Sequence, residues 1–428
     1  MSARTLAFAG ASAAREARPL SRSLIAGLFF AIVLLLFAVS AGLLWNLGVN
    51  YNGVTGAIAT KIHPATYLAF ATLGLLILAR RNPASFFVAL VTKHPGTLVF
   101  LLATLLVGCT IVLDGRKGIA TIFDTYLLAI IVALIAAELE TRDFTRVEKL
   151  IHVVLAANAL LGLAEYALNT KVFPFRFDGV ALEWDNRSNG LLGHPLENAQ
   201  ITGLYIMVLL AGGGASMPKP LRPAAILLQF AALVPFGGRT ALLLTLAMTA
   251  LWLVPRVLHM LRGARLPLPA FAAIAVLAPL LALGVGLIAV GGFFDVMTDR
   301  FADDGGSAKT RLEMFEIFNQ LSAREIFIGA SSDVIDSLRT SRGLEQGIEN
   351  PVVRLLLYQG AVFTAFLIAG FTLFLIEVAR RLRPGCAMAM IFFLVIINSY
   401  ESIANKTVGL AQFVVLLLVM FPRSEKVD

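Results

Sequence analysis

Three arginines occupy costly positions. Arg187 opens RSNGLLGHPLENA, at the mouth of a long apolar run. Arg239 is the lone charge of PFGGRTALLL, with only Gly237 and Gly238 to turn the chain. A charge held at mid-bilayer costs at least ~2.5–3.5 kcal/mol, so a partner or a wet cavity is expected there. Arg311 lies in AKTRLEMFEIFNQLSA. At about 100° per residue, Phe315 and Phe318 flank it within about 40° on either side, which puts Arg311 in the middle of the apolar face. At each position, a snorkelling side chain is the plain alternative. Guanidinium forks match phosphate oxygens two at a time, and three on separate segments suit a pyrophosphate or similar polyanion.

Proton transfer has two candidates. His194 stands in Arg-x5-Gly-His-Pro, where Gly190 and Gly193 free the backbone to approach a ligand and Pro195 opens a helix. A helix N-terminus favours anions. Glu349, followed by Asn350, stands before a later apolar run and can serve as a general base. Asp124, Glu165, Glu197, Asn198, Asn350, Arg354 and Glu401 are candidate cavity-lining groups, since charges within spans usually face a bundle interior. For the acids a hydrogen-bonded interfacial carboxylate is the competing reading. Asp303-Asp304 is followed by GGS, a turn pattern, so no metal site is expected. Gly284-Val-Gly286-Leu-Ile-Ala289 matches a dinucleotide fingerprint but lies in an apolar run without the strand and turn such a motif requires. Cys109 and Cys386 offer neither a disulfide framework nor metal-ligand spacing.

These residues need a membrane domain to position them. The 428-residue chain is 58% hydrophobic and 14% charged, against about 25% charged in soluble domains. Apolar runs of the roughly 20 residues a helical span requires recur throughout. The expected fold is an all-α polytopic bundle with twelve spans, near 24–46, 63–79, 96–113, 119–137, 148–167, 198–214, 222–236, 240–258, 268–290, 356–378, 385–402 and 407–421. PASFFVALV is too short to span and is expected at the interface. The domain plan is a basic cytoplasmic tail (1–23), spans one to nine (24–290), a large outer loop with short helices (291–355), spans ten to twelve (356–421) and a second cytoplasmic tail (422–428). The net charge of +8 is read as membrane orientation rather than nucleic-acid binding. With the N-terminus inside, 20 Lys and Arg fall on inner segments and 8 on outer ones, leaving aside the long loop. Both termini are therefore expected in the cytoplasm. Loops 168–197, 237–239 and 291–355 then share the outer face. That long loop carries 11 acidic and 7 basic residues, so cationic character there is local, made by particular arginines.

Arg187…Gly193-His194-Pro195, Gly238-Arg239-Thr240 and Arg311 in a long loop, in this order and on one side, resemble the O-antigen ligase and polysaccharide polymerase superfamily of bacterial inner-membrane proteins, and most of all its exopolysaccharide-polymerase branch. The resemblance implies an undecaprenyl-diphosphate-linked glycan as substrate and metal-independent glycosyl transfer at the periplasmic face, without a cofactor. It further implies membrane lipid and other polysaccharide-assembly proteins as partners. Ligase-branch members carry a late loop histidine; loop 291–355 has none, which leaves the base open between Glu349 and His194. The alternatives are a ligase moving polymer to a lipid acceptor, a lipid-linked-glycan transporter, and a membrane scaffold.

Overall fold

The computed structural model describes residues 19–53, 56–116, 118–177, 179–181, 186–263, 307–344, 347–399 and 403–423, with 286, 289–295 and 298 between the longer stretches. Among these the protein is almost entirely helical, with one two-stranded ribbon, β1 (Arg176–Phe177) paired antiparallel to β2 (Val180–Ala181). Among the described residues, five helices are long and apolar enough to cross a membrane: α5 (Pro95–Leu113), α6 (Ile119–Ala137), α7 (Thr141–Leu168), α10 (Arg239–Leu261) and α14 (Pro351–Arg380). A sixth crossing is available if α3 (Pro64–Leu78) and α4 (Pro83–Thr92), bent by 117°, form one span. The remaining helices of the bundle are α1 (Pro19–Ala38), whose apolar part is Ser23–Ala38, and the shorter α2 (Ala41–Asn46), α8 (Pro195–Leu210), α9 (Leu221–Phe236), α15 (Cys386–Ile396) and α16 (Gly409–Met420).

Local chemistry explains where these helices differ from the expected spans. The run 24–46 is broken at Val39–Ser40, where Ser40 Oγ caps α2 by accepting from Leu43 N. Asn82 and Pro83 start α4 afresh, because Asn82 accepts from Ser85 N and proline needs no N–H donor at a first helical position. His194 and Pro195 begin α8 three residues before 198, which brings Glu197 and Asn198 into its first turn. The expected ninth span, 268–290, lies largely outside the described residues.

The core follows from composition. Helices that are apolar all round belong inside. Leu128–Ala136 of α6, Asn198–Leu209 of α8 and Leu410–Met420 of α16 are buried on every side, and the other apolar helices pack around them. Small residues let neighbours approach closely. Gly96 faces the Leu373 carbonyl and Gly370 faces the Phe100 backbone, so α5 and α14 form a close pair.

The loop before α14 holds α11 (Ser307–Glu316), α12 (Ala323–Ile328) and α13 (Ser332–Ser341). Met314, Ile317, Ile335, Leu344 and Ile348 form a small core against Val353 and Leu357 of α14. This corrects the wheel around Arg311. Leu312 and Phe315 are 72% and 53% exposed while Met314 and Ile317 are buried. The buried face is therefore rotated by about 90° from Arg311, because the helix packs on the loop's own core. The backbone of Arg311 lies in α11; its side chain is outside the described residues.

The bundle has two polar ends. At one, His94 meets Glu377, Arg80 meets Glu138, and Ser216 N reaches Glu148. At the other, the described residues of 39–63, 114–118, 169–194, 237–238 and 397–408 are joined by contacts such as His63 to Asp124 and Thr407 to Glu197. Arg116 ties the long loop and α14 to this second end by donating to the Ile328 and Tyr358 carbonyls.

Candidate polar site around the first turn of α8

The first turn of α8 is the hub of the second end. Ahead of it, residues 187–194 fold back on themselves through Gly190 (φ +52°) and Gly193 (φ +74°), both in the left-handed region that glycine tolerates. A Cβ on Gly190 would fall 2.6 Å from Asn158 Oδ1, and one on Gly193 would fall 2.6 Å from Ser40 Cβ. The close approach these glycines permit is thus to protein rather than to a ligand, which corrects the expectation drawn from them.

Helix α7 holds this segment. Glu165 accepts from the backbone N–H groups of Asn189 (2.7 Å), Gly190 (2.9 Å) and Val172 (2.9 Å). Asn158 Oδ1 accepts from Leu191 N at 2.7 Å, and Ser188 Oγ donates to the Gly162 carbonyl. Asn198 Nδ2 donates to the Asn189 and His194 carbonyls. Glu165 and Asn198 are therefore positioning groups: their polar atoms fix the loop.

Two of the three arginines are brought to one side of this hub. Ser188 N, next to Arg187, donates to the Pro235 carbonyl at 2.9 Å, four residues before Arg239. Gly238 packs on Ala199 of α8 so closely that a Cβ would lie 2.5 Å from the alanine methyl. Arg187 and Arg239 are both half-buried.

His194 is the N-cap of α8. Its Nδ1 accepts from Leu196 N at 3.2 Å, and its ring stands edge-on to Phe175 with centroids 4.5 Å apart. With Nδ1 accepting, a neutral ring carries its proton on Nε2. In that tautomer Nε2 is a donor, suited to an oxyanion rather than to proton abstraction. Glu349 is half-buried beside Asn350, whose Oδ1 caps α14 by accepting from Val352 N and Val353 N. Arg354 lies over the Tyr358 ring and near enough to Tyr126 to act on it electrostatically. Glu401 is outside the described residues.

A second group of residues, on the other side of α8, is less obvious in the sequence. Asp124 is fully buried in a π-helical turn, Ile122–Leu127, a distortion common at functional sites. Its carboxylate accepts from Tyr51 Oη (2.8 Å), Thr66 Oγ1 (2.6 Å) and His63 N (3.0 and 3.1 Å). Thr125 and Tyr126 then anchor loop 403–408 by donating to the Asn405 and Ile403 carbonyls. Thr407 Oγ1 donates to Glu197 at 2.8 Å. Lys406 sits 3.6 Å above the Tyr51 ring and donates to the Tyr51 carbonyl. Lys61, itself buried, donates to the Asn50 carbonyl. Burial pushes the Lys406 ammonium down to about 8; Asp124 opposes the shift and Lys61 adds to it. Burial and the adjacent Asp124 carboxylate raise Tyr51 well above its usual range, and burial lowers His63.

Lys61, Tyr51 and Lys406 were not among the residues singled out by sequence. The pattern that exposes Arg239, a lone cation between apolar runs, also fits Lys406 in SIANKTVGLAQF. Among the described residues no three His, Cys, Asp or Glu side chains are grouped so as to hold a metal ion. No family model and no curated protein matches the sequence.

Proposed function

We propose that this chain is a polysaccharide polymerase of the bacterial inner membrane. It joins undecaprenyl-diphosphate-linked repeat units at the periplasmic face, with both termini cytoplasmic and twelve spans around the site. The observation that carries the reading is the pairing of Arg187 with Arg239 beside the first turn of α8, through the Ser188–Pro235 hydrogen bond and the Gly238–Ala199 contact. Two half-buried guanidinium groups on rigid, mutually tied segments suit a diphosphate whose charge grows as it leaves.

In the reaction, an acceptor hydroxyl oxygen bonds to C1 of the donor sugar. The C1–O bond to phosphate breaks, the diphosphate keeps the electron pair, and the hydroxyl proton passes to a base. Preorganised cations at the departing charge are often the largest catalytic contribution; Arg187 and Arg239 take that role here, with Arg311 the expected third member. The tautomer implied by the His194 cap favours Glu349 as the base.

Purified protein in detergent, given lipid-linked repeat units and no second compartment, is the test. Elongated, lipid-linked product supports the polymerase. Units returned unchanged would refute it, and a pure transporter would give that result.

A further inference from the structure

The two sets of cations lie on opposite sides of one helix turn. Glu197, which meets Thr407, and Ala199, which meets Gly238, are two residues apart, or about 200° around α8. Loop 403–408 with Lys406 is therefore on one face, and Arg239 with Arg187 is on the other. A helix with its side chains is roughly 10–12 Å across, too wide for one phosphate to touch both sets.

The lysine set is electrostatically incomplete. Lys406 bonds to the Tyr51 carbonyl and Lys61 to the Asn50 carbonyl, so both have dipoles as partners. The nearby carboxylate, Asp124, is fully buried; it accepts from Tyr51, Thr66 and His63 and also acts electrostatically on Lys406. Lys406 titrates near 8, which reflects its burial and the second ammonium nearby. Two like charges set against one nearby carboxylate leave a net positive group, which favours an anion from outside.

Resting on the polymerase reading, we propose that Lys61 and Lys406 hold a second lipid diphosphate, that of the acceptor, across α8 from the one held by Arg187 and Arg239. Joining two lipid-linked units brings two diphosphates to the enzyme: one leaves and the other stays on the product. An enzyme moving glycan to an acceptor without a diphosphate needs one such site. The lysine set is thus the feature that separates polymerase from ligase.

Equilibrium binding of labelled farnesyl diphosphate to the full chain in detergent tests this. The wild type is expected to bind two per chain, and Arg239→Ala one. Lys61→Gln/Lys406→Gln is expected to weaken the other site by about 10–100-fold, as loss of charge-assisted hydrogen bonds does, while the Lys→Arg double variant keeps two. Lys406→Gln alone, at a half-exposed side chain, decides the matter should the double variant not fold. One site in the wild type, or two full-affinity sites in the glutamine variants, would overturn the proposal. So would displacement of the label from the lysine site by phosphatidylglycerol as readily as by unlabelled farnesyl diphosphate, which would mark a headgroup site. Two sites without elongation would sink the polymerase reading and leave the anion site standing. Elongation with a single site would do the reverse.

Discussion

The two polar ends of the bundle hold similar residue types and use them differently. At the end with His94, carboxylates meet cationic or ionisable partners: Glu377 sits 2.9 Å from His94, and Glu138 is 3.0 Å from Arg80. At the α8 end, Asp124 and Glu165 accept from neutral donors, the hydroxyls of Tyr51 and Thr66 and the backbone N–H groups of His63, Asn189 and Gly190. An acid satisfied by neutral donors fixes a loop, and at Asp124 its charge also acts on Lys406. The first end therefore reads as closure of the fold, and the α8 end as a scaffold that orders the segments carrying Arg187, Arg239 and Lys406.

Substitutions can break this contrast. The largest effect is expected at the arginines: Arg187→Ala or Arg239→Ala should lower elongation by about 10²–10³-fold, the usual cost of one preorganised charge-stabilising group, with the thermal midpoint held. Arg80→Ala, at the other end, should leave elongation within about twofold of wild type. Equal losses at both ends, measured in one turnover assay, would erase the distinction.

Stability comes next. Asp124→Ala leaves the Tyr51 and Thr66 hydroxyls and the His63 N–H buried without their acceptor. At about 1–3 kcal/mol for an orphaned group, partly relieved by relaxation, a loss of about 2–4 kcal/mol is expected. Glu138→Ala, which removes a partly exposed ion pair, should cost under about 1 kcal/mol. Denaturant titration of the two variants checks the order.

A smaller effect sharpens the comparison through pH. Lys406 is charged below about 8 and neutral above it. The charged form favours an anion, so farnesyl diphosphate affinity at the lysine site should fall, by about tenfold for one charge-assisted hydrogen bond, as pH rises from 7 to 9. Of the groups around it, Tyr51 is raised and stays protonated and His63 is lowered and stays neutral, so neither adds a charge change over this range. The step should vanish in Lys406→Gln. The sign for folding is opposite: a lysine held below its ordinary pKa of about 10.4 adds stability as pH rises from about 8 to that value. Smallest of all, His194→Ala should cost about 1 kcal/mol through loss of the α8 cap, and His194→Asn should recover most of it.

Much of the fold was legible because lipid solvation imposes a coarse pattern. Apolar runs mark helices, and the starts of α6 and α10 fall at or within one residue of their expected positions. The breaks were harder, since Ser40 and Asn82 act through single caps inside apolar stretches. Arg239 stood out as a lone charge between apolar runs, and Arg187 by its place ahead of Gly193-His194-Pro195 at the mouth of one. Glu165 and Asn198 were noticed for their chemistry, but their bonds to backbone groups depend on a loop fold that no periodicity encodes. The wheel around Arg311 misled because it assumed the membrane domain as packing partner, whereas Met314 and Ile317 pack within the loop. Lys61 and Lys406 lie 345 residues apart, and only the fold brings them to Tyr51 and Asp124.

The most direct test of the central claim is product length. Wild-type protein and Arg239→Ala, purified in parallel at matched folding, would each receive the same lipid-linked repeat units, and products would be resolved by size. A ladder of lipid-linked oligomers from the wild type, absent or reduced at least about 100-fold in the variant, is the predicted result. A wild-type ladder from Arg239→Ala, or none from the wild type, would contradict the account.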